Sequence, residues 1–92
     1  MFRRYEVNKM RIELLDRIEI NPEVLCGKPV IRGTRISVEL ILEKLASGYN
    51  FKQIAQEYDI TEEDIKAAIT YAYGLVANEE ILEFVNNAPA YR

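Results

Sequence analysis

The stretch Phe51–Thr70, which reads FKQIAQEYDITEEDIKAAIT, decides the fold of this 92-residue chain. Its apolar residues recur every three to four positions, as they do on the buried face of an amphipathic helix. The pattern predicts one helix over 51–58 and a longer one over 62–77. The two helices would be joined by a turn of three residues.

Capping residues mark where the helices begin. Three residues have the chemistry and the position of N-caps: Ser37, Asn50 and Thr61. Gln53 and Asp64 lie three residues after the second and the third cap, so both of those helices start with a capping box. Gly48 is suited to the position just after a helix end, and it bounds a further helix over 38–47.

A hydrophobic staple is predicted at each cap. In each one, an apolar residue just before the cap packs against an isoleucine at the fourth position of the helix. The three pairs are Ile36 with Ile41, Tyr49 with Ile54, and Ile60 with Ile65. Three caps with three staples fix the helix starts well.

The spacing of small and apolar residues within 51–70 resembles the helix-turn-helix pattern. Two helices that cross over a short turn need a small side chain at the crossing and apolar ones around it. Ala55 is the small residue, and the apolar places are filled by Ile54, Tyr58, Ile60, Ile65 and Ala68. Asp59 stands where glycine is usual, and Asp tolerates a left-handed backbone better than most residues.

The first turn of the second helix of this pair is acidic, since Glu62, Glu63 and Asp64 follow one another. These carboxylates complement the positive end of the helix dipole. A carboxylate metal cluster with Asp59 is the less favoured alternative. Three carboxylates at this place would repel the phosphates of a nucleic acid. In a DNA-binding protein, Lys66 and Thr70 would face the groove.

The segment 12–36 has the character of short strands and turns rather than helix. Arg17–Ile20 alternates polar and apolar residues, as a half-buried strand does. Turn signals follow at Asn21-Pro22, Gly27-Lys28-Pro29 and Gly33-Thr34. We expect a small β-hairpin in which 18–20 pairs with 34–36.

The whole chain is expected to form one domain. A loose N-terminal extension over 1–11 precedes a single helix-turn-helix domain over 12–92. After the helix that ends near 77, the apolar residues beyond Glu79 predict either a short fourth helix over about 79–87 or a bent continuation of the third, which Pro89 ends. The fold class is mainly α: a homeodomain-like three-helix domain behind a β-hairpin, with a C-terminal helical extension.

Composition excludes most catalytic chemistry. The chain has no histidine and one cysteine, which removes histidine-based triads, two-histidine metal sites and cysteine zinc sites. We predict no enzyme, cofactor, metal or small-molecule substrate.

No apolar run approaches the length of a membrane span or of a signal-peptide core, so we predict a cytoplasmic protein without membrane contact. Cys26 is expected to be a small buried residue.

The net charge of −3 hides an asymmetry between the two ends of the sequence. Residues 1–36 hold eight basic and five acidic side chains, whereas residues 37–92 hold four basic and ten acidic ones. Lys28, Arg32 and Arg35 lie on the predicted turns of the basic part and are candidates for binding nucleic acid or acidic groups of a partner. In the alternative interpretation the glycines only make turns, and Arg35 pairs with a carboxylate of the acidic part.

Tyrosines on the last long helix point to self-association. Ile65, Ile69, Ala72 and Val76 share one stripe of that helix, which is the predicted core face. Tyr71 and Tyr73 lie off this stripe, so a monomer would expose at least one of them. Tyrosine is favoured at interfaces. We predict a homodimer that forms through this helix, with Tyr71 and Tyr73 in its interface, and through the apolar residues after Glu80.

The run from Ile18 to about Ala77 is similar to domain-of-unknown-function family 433. The resemblance rests on INPEVLCGKPVIRGTRI, and on IAQEY followed by TEEDIKAA. It implies a homeodomain-like helix-turn-helix domain behind a small β element, in antitoxin-like proteins encoded beside a PIN-like nuclease toxin. It brings no catalytic residue. The signature positions are Gly27, Lys28, Pro29, Arg32, Gly33, Thr34 and Arg35.

Two functions follow as hypotheses. In the first, the chain is an antitoxin-like protein that neutralises a PIN-like nuclease, and Arg32 and Arg35, supported by Lys28, pair with the carboxylates of its metal-binding pocket. In the second, it is a dimeric DNA-binding repressor of its own operon. In that case the dimer would place two basic hairpins or N-terminal arms on phosphates, with Lys66 and Thr70 towards the groove of the operator DNA.

Overall fold

The computed structural model of the chain describes residues 13–77. Residues 13–15 are helical, so the prediction of strands and turns rather than helix over 12–36 is wrong at its start. In chain order the elements that follow are β1 (Ile18–Glu19), a 3₁₀ turn (Leu25–Gly27), β2 (Val30–Ile31), α1 (Val38–Ala46), α2 (Phe51–Tyr58) and α3 (Glu62–Val76). A mainly helical chain with a small β element ahead of its main helices is therefore confirmed. The extension expected over 1–11 and the helix expected over 79–87 lie outside the described residues.

All three main helices begin at the caps that the sequence predicts. Ser37 accepts a hydrogen bond from the N–H of Leu40 at the start of α1. Complete capping boxes start α2 at Asn50 and α3 at Thr61, with hydrogen bonds of 2.8–3.0 Å. Each cap satisfies backbone N–H groups that have no partner within the helix.

The sheet differs from the expected hairpin. β1 pairs antiparallel with β2, with Ile18 opposite Ile31, so the predicted pairing of 18–20 with 34–36 is wrong. The reason lies in the residues after β2, which fold back onto that strand. The N–H of Ile31 donates to the carbonyl of Ile36, and the N–H of Thr34 donates to the carbonyl of Ile31. Residues 34–36 thus form a tight turn beside β2 instead of a partner for β1.

The core lies where the three helices meet. Ile41, Ile54 and Ile65 are completely buried, and each is the isoleucine at the fourth position of its helix. α3 contacts α1, α2 and β1, so it is the element on which the others pack.

The buried face of α3 is not the predicted stripe. Ile65 is buried, but its neighbours in the core are Ala67 and Ala68, while Ile69 and Val76 of the stripe are exposed. Small side chains let helices approach closely. The helix is therefore turned so that alanines face α1 and α2, and larger apolar residues are left outside.

The connection between α2 and α3 is a turn of three residues, as the sequence predicts. Asp59 has a left-handed backbone with φ of 56°, and its N–H donates to the carbonyl of Ala55 at the end of α2. The next N–H, from Ile60, donates to the same carbonyl at 3.1 Å. Ile60 itself is buried and closes the core between the two helices.

An ion pair joins the β element to the start of α3. Arg17, just before β1, places a guanidinium nitrogen 3.0 Å from a carboxylate oxygen of Asp64. The other carboxylate oxygen accepts the N–H of Thr61 in the capping box. One side chain therefore caps α3 and holds β1 against it.

The longest described helix is α3, with 15 residues. Within residues 13–77 none of the helices has both the length and the apolar character that crossing a bilayer requires.

We expect Asp64→Ala to lower the free energy of unfolding by about 1–2 kcal/mol, because it removes half of a capping box and the partner of Arg17. Urea denaturation followed by circular dichroism measures the change. Glu63→Ala is the matched control, since Glu63 is exposed and only approaches Lys66 at 3.7 Å. The control should change stability by less than about 0.5 kcal/mol. Equal losses in the two variants would contradict the dual role of Asp64.

Candidate partner-binding surface

Residues 32–36, which lie between β2 and Ser37, the N-cap of α1, form a loop that we call the arginine loop. Thr34 fixes it from inside: its hydroxyl donates to the carbonyl of Ile31 at 2.7 Å and accepts the N–H of Ile36 at 2.9 Å. The N–H of Gly33 donates to the Glu19 carboxylate at 3.1 Å. Gly33 has φ of +79°, a conformation that is strained for any residue with a Cβ. The loop is therefore held rigidly against β1.

Arg32 is used within the chain. Its Nε donates to the carbonyl of Asp16 at 2.7 Å, and a terminal nitrogen donates to the carbonyl of Ile18 at 3.3 Å. The same terminal nitrogen lies 3.8 Å from the carboxylate of Asp16. The guanidinium thus clamps the arginine loop to the backbone around β1, a role that its position in a turn did not reveal.

Lys28 also has an internal partner. Its Nζ lies 2.9 Å from a carboxylate oxygen of Glu39 in the first turn of α1. The hydrogen bond to Glu39, reinforced by the charge of that carboxylate, raises the pKa of Lys28 above its ordinary value of 10.5. Both side chains are exposed, so the pair contributes little to stability.

Arg35 differs from the other two predicted cations. It is exposed at the end of the arginine loop. Within residues 13–77 its guanidinium forms neither a hydrogen bond nor an ion pair. The alternative in which Arg35 pairs with a carboxylate of the acidic part of the chain is therefore wrong for the described residues.

Cys26 is exposed, so the prediction that it is buried is wrong. It lies in the 3₁₀ turn, none of whose residues is buried. Leu25, Cys26 and Gly27 all have positive φ, between 49° and 85°. This left-handed turn carries the chain around the outside of the domain between β1 and β2.

The sequence singled out two residues of α3 for DNA binding and two for a dimer interface, and within each pair the exposure differs. Lys66 is exposed and 3.7 Å from Glu63, whereas Thr70 is half-buried. Tyr71 is half-buried and packs against the core, while 54% of Tyr73 is exposed. Of the two tyrosines expected in an interface, Tyr73 is therefore the more accessible.

An apolar groove lies between α3 and the start of α1, with a volume of about 290 Å³. Its apolar lining consists of Pro29, Val38, Leu42, Tyr71, Ala72 and Leu75, and the ion pair of Lys28 and Glu39 borders it. Sequence reasoning missed this groove, because its walls come from three separate segments. The one available signal was the uncharged second half of α3.

A second, more open cleft of about 440 Å³ lies between the arginine loop and the turn before α3. Asp16, Asp59 and Asp64 line it together with Arg17 and Arg32. Glu13 is the fourth carboxylate of its lining, and two of the four, those of Asp16 and Asp64, are already paired with these arginines. No group of three side chains that could hold a metal ion is found in the described part of the chain, 13–77.

The fold and the surface define a class: a small, mainly helical domain that presents a rigid basic loop ahead of its helices. Residues 18–72, more than half of the chain, match the family DUF433, described as a protein of unknown function, and the chain belongs to this family. The match runs from the start of β1 into α3 and includes the whole arginine loop.

The chain is also similar to a solved structure, the crystal structure of a DUF433 member protein from Anabaena variabilis ATCC 29413. The two share 27% sequence identity with a TM-score of 0.57. The alignment covers 94% of this chain and 87% of the other. None of the curated proteins matches the chain.

We expect the two arginines of the loop to differ sharply in their effect on stability. Arg32→Ala removes charge-assisted hydrogen bonds to two carbonyls and should lower the free energy of unfolding by about 1–2 kcal/mol, allowing for partial exposure. Arg35→Ala, the same truncation at an exposed arginine with no partner among residues 13–77, should change it by less than about 0.5 kcal/mol. Urea denaturation of both variants checks this, and a larger loss for Arg35→Ala would refute the assignment.

Proposed function

We propose that this chain is an antitoxin-like interaction protein that binds and neutralises a PIN-like nuclease toxin. The observation that carries the proposal is the arginine loop, which presents Arg35, unpaired among residues 13–77, from a rigid backbone. Arg35 enters the acidic, metal-binding pocket of the nuclease and pairs with its carboxylates.

Rigidity makes the loop suited to this task. A segment that is already ordered before binding loses little conformational entropy when it inserts into a pocket. The hydrogen bonds of Thr34 and Gly33 supply that order. A guanidinium matches a carboxylate with two parallel hydrogen bonds and keeps its charge at any physiological pH.

The other predicted cations take supporting roles. Arg32 positions the loop through the carbonyls of Asp16 and Ile18. Lys28 is paired with Glu39, so it would have to leave that partner before it could meet another carboxylate. The proposal therefore places the partner contact on Arg35 and treats Arg32 as a positioning residue.

Affinity capture of the tagged full chain from its own host tests the proposal. We expect mass spectrometry to identify a PIN-like nuclease, and we expect Arg35→Glu to reduce its recovery at least about tenfold, because the substitution places like charges face to face. Lys52→Glu makes the same charge change at another exposed cation and should leave recovery unchanged. Equal recovery with both variants would remove Arg35 from the interface, and the absence of a nuclease with the wild type would refute the proposed partner.

A dimeric helix-turn-helix repressor is the second candidate. Its specific support is the three-residue turn at Asp59, with exposed Lys52 on α2 and Lys66 on α3. The acidic first turn of α3 weighs against it, although Asp64 is neutralised by Arg17 and Glu63 lies near Lys66. The nuclease proposal needs no such compensation and is preferred.

Salt dependence tests the second candidate directly. If Lys52 and Lys66 of two subunits each met a phosphate, affinity for the protein's own promoter should fall about 100-fold between 50 and 200 mM salt. Lys66→Glu should then flatten this dependence, whereas Arg35→Glu should not. Fluorescence anisotropy with labelled promoter DNA measures both. Absent binding at 50 mM salt, or a flat response, would exclude the repressor.

A further inference from the structure

The apolar groove between α3 and the start of α1 is open to solvent. Its wall on α3 is formed by Tyr71, Ala72 and Leu75, which lie in the last turns of that helix. None of the three is buried, and Leu75 is 48% exposed. Contact between apolar surface and water is unfavourable, so the groove favours an occupant that is itself apolar.

The sequence that follows α3 starts at the end of this groove. α3 ends at Val76, one residue after Leu75, and the sequence continues beyond Ala77 through residues 78–92. The first large apolar residue of that segment is Ile81. Four residues separate it from Ala77 and span up to about 14 Å, whereas the groove follows α3 for about 6 Å. A short turn after Ala77 is therefore long enough to bring Ile81 back to the groove.

The chemistry of this segment matches the groove. Residues 79–85 read EEILEFV. Ile81, Phe84 and Val85 have the i, i+3, i+4 spacing of one helix face, which suits an elongated apolar groove. The groove has a cation at its border, because Lys28 lies there and uses one of its three donors on Glu39. The three glutamates of residues 79–85 complement that positive charge.

We propose that the apolar groove is the docking site for residues 78–92 of the same chain, with apolar side chains of 81–85 seated between α3 and α1. Attachment to the end of α3 favours this occupant over a separate molecule. A segment on a short tether has an effective concentration in the millimolar range, about a thousandfold above that of a partner at micromolar concentration.

The segment before the described residues fits the groove less well. Residues 1–12 hold four basic side chains and one acidic one, so they would bring further positive charge to Lys28. They join the described structure at Glu13, which lines a cleft with Glu63 and Lys66 near the start of α3. From Lys66 to Leu75 the helix rises about 14 Å. The groove therefore lies at the other end of α3 from this segment.

Hydrogen exchange of the full chain, followed by mass spectrometry, tests the docking. Amides of 81–85 should exchange at least about tenfold more slowly than in an unstructured peptide, because an undocked helix this short is not stable in water. Leu75→Glu places a carboxylate in the groove wall and should remove this protection. Val76→Glu is the matched control: it makes the same change at the next residue, which is 67% exposed and does not line the groove. It should leave the protection unchanged, and protection of α1 and α2 should persist in both variants.

Cross-linking at low micromolar concentration identifies the chain to which the occupant belongs. In a Cys26→Ser background, Glu39→Cys on the groove border combined with Phe84→Cys should form a disulfide within one chain under mild oxidation. Lys52→Cys combined with Phe84→Cys is the control and should not, since exposed Lys52 lies on α2 away from the groove.

Three results would overturn the proposal. Unprotected amides over 81–85 in the wild-type chain would leave the groove without this occupant. Equal protection in Leu75→Glu and Val76→Glu would mean that the segment is ordered without the groove, as in a continuation of α3. A disulfide between two chains would assign the groove to a second copy. None of these measurements involves the nuclease, so the proposed partner of Arg35 stands or falls separately.

Discussion

The packing of three isoleucines, Ile41, Ile54 and Ile65, is the contact on which the rest of the structure depends. Each is completely buried and each lies one turn inside the start of its helix. Because the caps fix where the helices start, they also fix where these side chains meet. Ala67 and Ala68 let α3 come close enough for that meeting, and the close approach leaves the larger residues of α3 outside.

Charge pairing decides what the basic part of the chain can offer to a partner. Arg17 is held by Asp64, Lys28 by Glu39, and Arg32 by the backbone and carboxylate of Asp16. The contact of Arg17 joins the β element to α3 and that of Lys28 joins the segment before β2 to α1, whereas Arg32 is held within the β element. Three of the four basic side chains among residues 13–36 are thus paired, and Arg35 keeps its charge available at the surface.

The helices were predictable because their signals are local. Caps at Ser37, Asn50 and Thr61 act on N–H groups two or three residues away, so the sequence contains both partners. The strand pairing was not predictable in the same way. Residues 34–36 have the character of a strand, but their hydrogen bonds go to the neighbouring β2, and only the three-dimensional path of the chain selects that partner.

The sequence by itself determined the helix starts, the left-handed turn at Asp59 and the three isoleucines of the core, because each follows from contacts within a few residues. It also singled out Lys28, Arg32 and Arg35 as a group. Only the tertiary structure separated them, since the partners of Lys28 and Arg32 are 11 to 16 residues away in sequence. The same holds for the rotation of α3, which depends on the space between α1 and α2 and therefore cannot be read from the period of one helix.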